Sequence, residues 1–254
     1  MVAQELSPRY DRIGGGYARH RQPDPGFAAA IEAALGDART VVNVGAGAGS
    51  YEPAGRHVVA IEPSDVMAAQ RPASLAPAIR ATAGRLPLRD ASVDAAMAVL
   101  TLHHWDHEQE QGIRELRRVA RGPVVLLTID PRVSGATWMV ADYLPEVAAL
   151  DDEIFPLPEV LADWLGGAVA IDVLEVPRDT PDHTLLSFWA HPERVLDAEA
   201  RAATSGFARM QPAIVDRCVA AVGRDLASGA WDARHGHLRD LDAYDAGLRL
   251  VVAP

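Results

Sequence analysis

Four continuous apolar runs constrain the fold of this chain more than any other feature of its sequence. They are rich in valine, leucine and isoleucine, and they read TVVNVG (40–45), HVVAIE (57–62), VDAAMAVLTL (93–102) and PVVLLTID (123–130). Runs of this length, separated by helical or turn-rich segments, are typical of central strands in a parallel sheet that is covered on both faces. The first half of the chain therefore predicts an α/β protein.

Segments with the apolar periodicity of a helix lie before and between these runs. Residues 25–35 place Phe27, Ile31 and Leu35 on one face and stop at Gly36, a typical helix terminator. Residues 106–120 carry apolar side chains at three-to-four spacing, with acids early and arginines late, which suits the helix dipole. The later part of the chain predicts helices near 134–150 and 158–165, a strand at 169–176, mostly helix over 192–234 and a last strand at 244–253.

The composition excludes several classes of mechanism. The 254 residues include 24 basic and 35 acidic side chains, for a net charge of −11, and every basic side chain is an arginine. The absence of lysine excludes a Walker phosphate loop, a Schiff-base lysine and a pyridoxal phosphate anchor. The acidic balance also argues against nucleic acid as a partner, because duplex binding depends on neutralised phosphates.

The cysteine count and the hydropathy pattern bear on the compartment. Cys218 is the single cysteine, so no internal disulfide and no multi-cysteine metal site can form, and a reducing compartment is expected. The N-terminal residues contain no apolar core of signal-peptide length, and no segment approaches the roughly 20 apolar residues of a membrane span. We therefore expect a cytoplasmic protein with no membrane partner and no metal, and the oligomeric state stays open.

A glycine-rich loop follows the first apolar run directly. Gly45, Gly47 and Gly49 let the backbone turn tightly and approach a ligand closely. One run later, Glu62 stands where an acid can accept hydrogen bonds from both hydroxyls of a ribose. Both positions fall at the carboxyl ends of strands, where open α/β sheets bind ligands. The pair predicts a crevice that binds a nucleoside.

The glycine spacing bears on which nucleoside ligand is bound. The dinucleotide fingerprint G-x-G-x-x-G opens a full helix that holds a pyrophosphate, whereas this loop reads G-x-G-x-G, and Pro53 and Gly55 interrupt the next segment. The 13 residues from Gly45 to His57 are close to the minimum for a parallel crossover, so any helix there must be short or irregular. The glycine spacing therefore favours a loop that packs around an uncharged or zwitterionic group over a binding site for a pyrophosphate.

These residues resemble class I S-adenosylmethionine-dependent methyltransferases, in the small-molecule branch that includes the ubiquinone and menaquinone biosynthesis type. The likeness covers most of the first 130 residues, and RELRRVARGPVVLL resembles the helix and fifth strand of that family. It implies a Rossmann-like, doubly wound, mostly parallel sheet with helices on both faces and a helical lid or insertion after the fifth sheet strand. Within a single methyltransferase domain it implies an N-terminal lid segment (1–25), a cofactor-binding core (26–130), a lid and substrate region (131–240) and a last strand (241–254).

The resemblance also assigns residues to the cofactor. VNVGAGAGSYE (42–52) looks like the loop around the methionine part, Glu62 matches the acid that holds the ribose hydroxyls, and Met67 matches the residue packed near the adenine. AGRLPLRDASVDAAMAVLTLHHW looks like the family segment that ends in a His-His pair. The cofactor residues implied in this way are Tyr17, Asn43, Gly45, Ala46, Gly47, Glu62, Pro63, Met67, Gly84, Arg85, Leu86, Leu100 and His104. Tyr10 is expected to cover the cofactor together with Tyr17.

Three departures from the family pattern qualify this assignment. Asn43 stands where the family usually has an acid, so part of the network that orders the glycine loop is changed. Thr82 occupies a place where an acid often contacts the adenine amino group, and a threonine brings no charge. The glycine turn before the fifth strand is reduced to ARGP. We interpret these departures as variations inside a working cofactor site.

Three residues are candidates for catalysis. Methyl transfer from a sulfonium is an in-line displacement that depends mainly on positioning, and a base is needed only if the acceptor is a hydroxyl or a protonated amine. His103 and His104 follow a strand, so side-chain alternation points one towards the crevice and the other towards packing, and each either acts as a base or shapes the pocket. Asp130 ends the fourth apolar run, which corresponds to the fifth strand of the family. It is either a further base or a cap for the next segment.

The function expected from the sequence is S-adenosylmethionine-dependent methyl transfer to an oxygen, nitrogen or carbon atom of a small metabolite. Apolar side chains beyond residue 130 offer walls for an acceptor pocket, or simply core: Trp138, Met139, Tyr143, Phe155, Trp164, Phe188 and Trp189. Two alternatives stay open. One is an NAD(P)-dependent oxidoreductase on a Rossmann sheet, and the other is a non-catalytic module that binds S-adenosylmethionine.

Overall fold

The computed structural model of the protein describes residues 22–202 and 204–254. Tyr10 and Tyr17, for which the sequence predicts a covering role, lie outside these ranges. The strands are β1 (Thr40–Val44), β2 (His57–Ile61), β3 (Ala95–Val99), β4 (Val124–Ile129), β5 (Ala170–Val173), β6 (Val176–Pro177), β7 (Ala243–Tyr244) and β8 (Leu248–Ala253). The α-helices are α1 (Pro25–Ala34), α2 (Asp65–Ala69), α3 (Gln109–Val119), α4 (Pro131–Ser134), α5 (Pro145–Ile154), α6 (Pro158–Leu165), α7 (Ala198–Ala202), α8 (Ser205–Ala208), α9 (Pro212–Ser228) and α10 (Ala230–His235).

Six strands form one sheet in the order β2-β1-β3-β4-β8-β5. The first four pair in parallel, and β8 runs antiparallel to both of its neighbours, β4 and β5. The predicted mostly parallel, Rossmann-like sheet is confirmed. In this arrangement the carboxyl ends of β1, β2 and β3 lie side by side at one edge of the sheet.

The sheet is buried on both faces, which explains why the runs are apolar without alternation. Val41 and Val125 point into one hydrophobic cluster, whereas Val42 and Val124 point into the other. The first cluster includes α1 and much of the chain beyond residue 130, and the second includes α3 and α6. No helix within 22–202 or 204–254 is long and apolar enough to cross a membrane.

Several predicted elements are shorter than the apolar runs indicate. The third run forms a strand only as far as Val99, because Leu100 adopts a left-handed φ of +50° and a 3₁₀ turn follows. The last strand begins at Leu248 and not at residue 244, since Gly247, with φ of +100°, turns the chain before it. The predicted helix at 134–150 is divided into α4, a π-helical turn (Met139–Tyr143) and α5, and Pro145 opens α5 where it cannot continue the earlier hydrogen-bond ladder.

Candidate functional site

A cavity of about 550 Å³ opens at the carboxyl ends of β1, β2 and β3. Its walls come from the glycine loop, the residues after β2, residues 81–83, the turn after β3, and Asp182 from a distant loop. The volume falls in the range of small-molecule and cofactor sites. From the predicted cofactor set, the residues that line it are Asn43, Gly45, Ala46, Gly47, Glu62, Pro63, Met67, Leu100 and His104.

Glu62 is held at the floor of this cavity by two backbone amides. The amide of Gly47 donates to Oε2 and the amide of Ser64 donates to Oε1, each over 2.8 Å. Burial of the side chain raises the pKa of Glu62, against the opposing effect of these amides. Each carboxylate oxygen can accept a second hydrogen bond, so the fixed carboxylate can receive two ligand hydroxyls.

A buried network supports the glycine loop from behind. Asn43 Nδ2 donates to Glu52 Oε1 over 3.1 Å, and Arg71 Nη2 donates to both Glu52 oxygens over 2.8 Å. Arg71 Nη1 also donates to the carbonyl of Gly47 over 3.2 Å. The side chains of Arg71 and Glu52 are only 3% and 1% exposed. Glu52 thus places a carboxylate beside Asn43, and the sequence alone did not reveal this contact network because the arginine partner of Glu52 is 19 residues away.

A second carboxylate stands near Thr82. Thr82 Oγ1 lies 3.4 Å from Glu108 Oε1, and both residues line the cavity. Glu108, from the 3₁₀ turn Asp106–Glu108 that leads into α3, therefore places a carboxylate beside position 82. Nothing in the local sequence separates Glu108 from the other acids at the start of the predicted helix 106–120, so the sequence alone does not mark it as a cavity residue.

The structure does not bring Gly84, Arg85 or Leu86 to the cavity lining, contrary to what the resemblance implies. Leu86 is buried in the second hydrophobic cluster, and its amide donates to Glu115 Oε2 over 2.8 Å. Arg85 is exposed. Gly84 packs behind Glu108, where an added Cβ would lie 2.8 Å from the carboxyl carbon. The chain turns away from the cavity after Ala83, because the side chain of Leu86 packs in the core.

The two histidines line different cavities, and they lie in the 3₁₀ turn Leu102–His104, where the side-chain alternation of a strand does not apply. His104 lines the large cavity, and its Nδ1 accepts a hydrogen bond from Arg209 Nη2 over 3.1 Å. His103 is buried, with its ring centroid 3.8 Å from that of His104 and 4.7 Å from that of Phe155. It lines a second cavity of about 60 Å³, together with Leu100, Phe155 and Arg209. Leu100 lines both cavities.

Asp130 is a helix cap and does not reach either cavity lining. Its Oδ1 accepts from the backbone amide of Arg132 over 3.1 Å at the start of α4, and its Oδ2 pairs with the Arg132 guanidinium at 2.7 Å. The guanidinium holds the pKa of Asp130 below its usual range. A carboxylate stabilised in this way is a poor proton acceptor, so the geometry favours the capping interpretation of Asp130 over that of a base.

The apolar side chains predicted for an acceptor pocket belong mostly to the core. Phe155 lines the second cavity. Trp138, Phe188 and Trp189 are buried in the first hydrophobic cluster, and Trp138 Nε1 donates to the carbonyl of Trp189 over 2.8 Å. The side chains of Trp138, Phe188 and Trp189 pack the region beyond residue 130 against the sheet, and they line neither of the two cavities.

The charges around the large cavity are one-sided. Its described lining includes four carboxylate residues and no arginine: Glu62, Asp106, Glu108 and Asp182. Such a lining favours a cationic ligand and disfavours a pyrophosphate. Within the described ranges, no cluster of three or more histidine, cysteine or acidic side chains is arranged to hold a metal ion.

Comparisons with known proteins agree with this geometry. A family model described as a methyltransferase domain matches residues 42–127. A structure from Anabaena variabilis, described as that of a methyltransferase from an antibiotic biosynthesis pathway, is 30% identical, with 93% of this chain and 99% of that chain covered and a TM-score of 0.84. No curated protein sequence matches the chain.

Two more distant structures share the fold alone. The [4+2]-cyclase SpnF is 18% identical, with 99% of this chain and 96% of that chain covered and a TM-score of 0.52. A Haemonchus contortus phosphoethanolamine N-methyltransferase, in complex with phosphomonomethylethanolamine and S-adenosylhomocysteine, is 12% identical, with 97% and 58% covered and a TM-score of 0.56.

The Anabaena relative decides the family, since it matches this chain over nearly the whole length of both proteins. The methyltransferase-domain match runs from within β1 to within β4, and it includes the carboxyl ends of β1, β2 and β3, where the acid-lined cavity opens. The narrower likeness to the ubiquinone and menaquinone branch stays a prediction. Its sequence, its sheet and its cavity together place this chain among the class I S-adenosylmethionine-dependent methyltransferases, the family to which it belongs.

Proposed function

We propose that the protein transfers the methyl group of S-adenosylmethionine to an oxygen, nitrogen or carbon atom of a small metabolite, acting in the cytoplasm as a single domain. One observation carries the proposal. The large acid-lined cavity adjoins the second cavity across Leu100 and the His103–His104 pair. This arrangement provides one compartment for the cofactor and one for the reacting end of an acceptor, and the second compartment is too small for a macromolecule.

The residues of the large cavity fit the cofactor. When bound there, S-adenosylmethionine supplies a methyl carbon attached to a positively charged sulfonium. Asn43 Oδ1 is buried and has no hydrogen-bond partner among the described residues, so it is an acceptor suited to the ammonium group of the methionine part. Glu62 would hold the ribose hydroxyls, and Glu108 with Thr82 would receive the adenine amino group.

The chain's own contribution is binding and orientation. The carboxylates of the large cavity neutralise a cationic ligand, and the glycine loop lets the backbone approach it. His104 Nδ1 already accepts a hydrogen bond from Arg209, so that nitrogen is not available as a base towards the large cavity. Because the displacement is in-line, holding the acceptor atom in alignment with the methyl carbon accounts for much of the acceleration.

Two observations argue against the nicotinamide alternative. A pyrophosphate needs basic side chains or a helix N-terminus, and the described lining of the large cavity carries no arginine. The segment between β1 and β2 forms turns and no helix. The non-catalytic alternative differs from our proposal only in turnover, so methylation of any acceptor would exclude it.

Calorimetric titration with S-adenosylhomocysteine tests the cofactor site without knowledge of the acceptor. We expect the wild-type protein to bind and Glu62→Ala to bind about ten- to hundredfold more weakly, because a charged hydrogen-bond acceptor contributes about 1.5–3 kcal/mol. Glu110→Ala, an exposed acid on α3 outside both cavities, is the control and should bind like the wild type. Absence of binding by the wild-type protein would contradict the proposed function.

A further inference from the structure

The second cavity combines apolar walls with a few charged and polar groups. It lies between the turn after β3, α5 and the chain around α8, and Phe155, Leu185 and Leu186 contribute apolar walls. Asp151 of α5 and Arg209 after α8 bring the charged groups. Its volume of about 60 Å³ exceeds the 10–15 Å³ or so that one water molecule requires, so it can hold the reacting end of a molecule and not a whole metabolite.

We propose that the second cavity receives the methyl acceptor, and that this acceptor is an oxygen acid, a phenol or an enol, whose hydroxyl is bound by Asp151 and Arg209. This inference rests on the proposed methyl transfer and narrows its substrate class.

The position of the cavity is the first argument. Leu100 lines both cavities and holds a left-handed φ of +50°, a strained conformation that the hydrogen bond from its amide to the carbonyl of Leu127 helps to fix. Strain of this kind in a non-glycine residue is typical of functional sites. His104 faces the large cavity and His103 the second, with ring centroids 3.8 Å apart. The two cavities therefore adjoin at Leu100 and the two histidine rings.

The charge of the cavity is the second argument. Burial raises the pKa of Asp151 to about 7, and this outweighs the opposing attraction of Arg209. Among the described residues, the charged or titratable groups around Asp151 are Arg209, His103 from the turn after β3, and Asp152 on its own helix. Near neutral pH the cavity therefore holds a full guanidinium charge beside a partly protonated carboxyl group. This favours an oxyanion over a protonated amine, whereas the large cavity favours a cation.

The groups in the cavity allow a balanced transfer step. The acceptor hydroxyl gives its proton to the Asp151 carboxylate while Arg209 stabilises the negative charge that develops on the oxygen. The oxygen then forms a bond to the methyl carbon and displaces the sulfur, which keeps the electron pair of the broken carbon–sulfur bond. The sulfonium charge is lost as the oxyanion charge is lost, and Asp151 later releases its proton to solvent.

The probe for this site is 4-nitrophenol, whose phenolate form absorbs visible light and titrates near neutral pH. With S-adenosylhomocysteine at saturation and at slightly acidic pH, we expect the bound probe to show a larger phenolate fraction than the free probe. Arg209→Met should weaken its binding about ten- to hundredfold, because a hydrogen bond to a charged group is lost. Arg209→Lys, which keeps the charge, should retain part of the affinity, and Arg224→Met, on the exposed side of α9, should bind like the wild type.

Several outcomes would overturn the inference. Equal binding of 4-nitrophenol by wild type and Arg209→Met would do so, as would binding of 4-nitroaniline, which has the same shape and no acidic hydroxyl, with the affinity of 4-nitrophenol. Absence of probe binding to a wild-type protein that binds S-adenosylhomocysteine would overturn this substrate class and leave the proposed function intact. Absence of S-adenosylhomocysteine binding would overturn the proposed function and this inference with it. Circular dichroism of each variant checks that it is folded.

Discussion

At the scale of single residues, Glu52 shows how a departure from a family pattern is compensated. Its carboxylate is the one acid that bonds both Asn43 and Arg71 beneath the glycine loop. A nearly fully buried ion pair of this kind is weak evidence of net stabilisation, but removal of one partner leaves the other charge uncompensated. We therefore expect the loss of Glu52 to reduce the free energy of unfolding by more than the intact ion pair contributes to it.

The substitution Glu52→Gln tests this network. It leaves the buried Arg71 guanidinium without a counter-charge, and we expect the free energy of unfolding to fall by about 3 kcal/mol. Urea-induced unfolding measures the change. Glu110→Gln breaks the exposed pair with Arg114 and should have little effect. Equal stability of Glu52→Gln and wild type would show that Arg71 is not buried in solution as it is in the structure.

The raised pKa of Asp151 predicts how the stability of the protein depends on pH. Its pKa is raised from 3.8 to about 7 in the folded protein, so between these values the folded state keeps a proton that the unfolded state has released. The stability contributed by this proton is complete below the unfolded-state value and is lost as the pH rises through about 7. Asp151→Asn cannot ionise, so its melting temperature relative to wild type should rise from acidic to mildly alkaline pH. A melting-temperature difference between Asp151→Asn and wild type that stays flat over this pH range would contradict the prediction.

At the scale of elements, the end of β1 and the end of β3 must fit closely for the large cavity to form. Gly45, which follows β1, has φ of +73°, and an added Cβ would lie 2.0 Å from Oγ1 of Thr101, just beyond β3. Two neighbouring strands can place their carboxyl ends this close only because one position lacks a side chain. Gly55, with φ of +76°, has nothing within 4 Å of such a Cβ.

These two glycines form a matched pair for a test of the cavity edge. Both Gly45→Ala and Gly55→Ala should lose stability, because alanine rarely adopts a positive φ. Only Gly45→Ala should also weaken binding of S-adenosylhomocysteine in calorimetry, by roughly tenfold or more, because its methyl group must displace Thr101 at the ligand site. The same affinity for both variants would show that the contact with Thr101 does not shape the cavity.

At the scale of the whole molecule, the two halves of the chain share one core. The first hydrophobic cluster joins Val125 and Leu127 of β4 to Trp138 and Trp231 from the region beyond residue 130. The loop of Asp182 also reaches back to the glycine-loop side, where Tyr51 donates a hydrogen bond to its carboxylate over 2.8 Å. The region beyond residue 130, for which the sequence predicts a lid and a substrate region, therefore contributes side chains to both cavities.

The sequence by itself determined the sheet and the place of the site. Buried strands are visible in the sequence as apolar runs, and the glycine loop and Glu62 at the ends of strands indicate where the crevice lies. Both signals can be detected in the sequence because they depend on residues that are adjacent in the chain. Only the tertiary structure decided which side chains complete the site. Arg209 reaches His104 across 105 residues and Asp182 reaches Tyr51 across 131, and contacts between residues so far apart follow from packing and leave no local periodicity to detect.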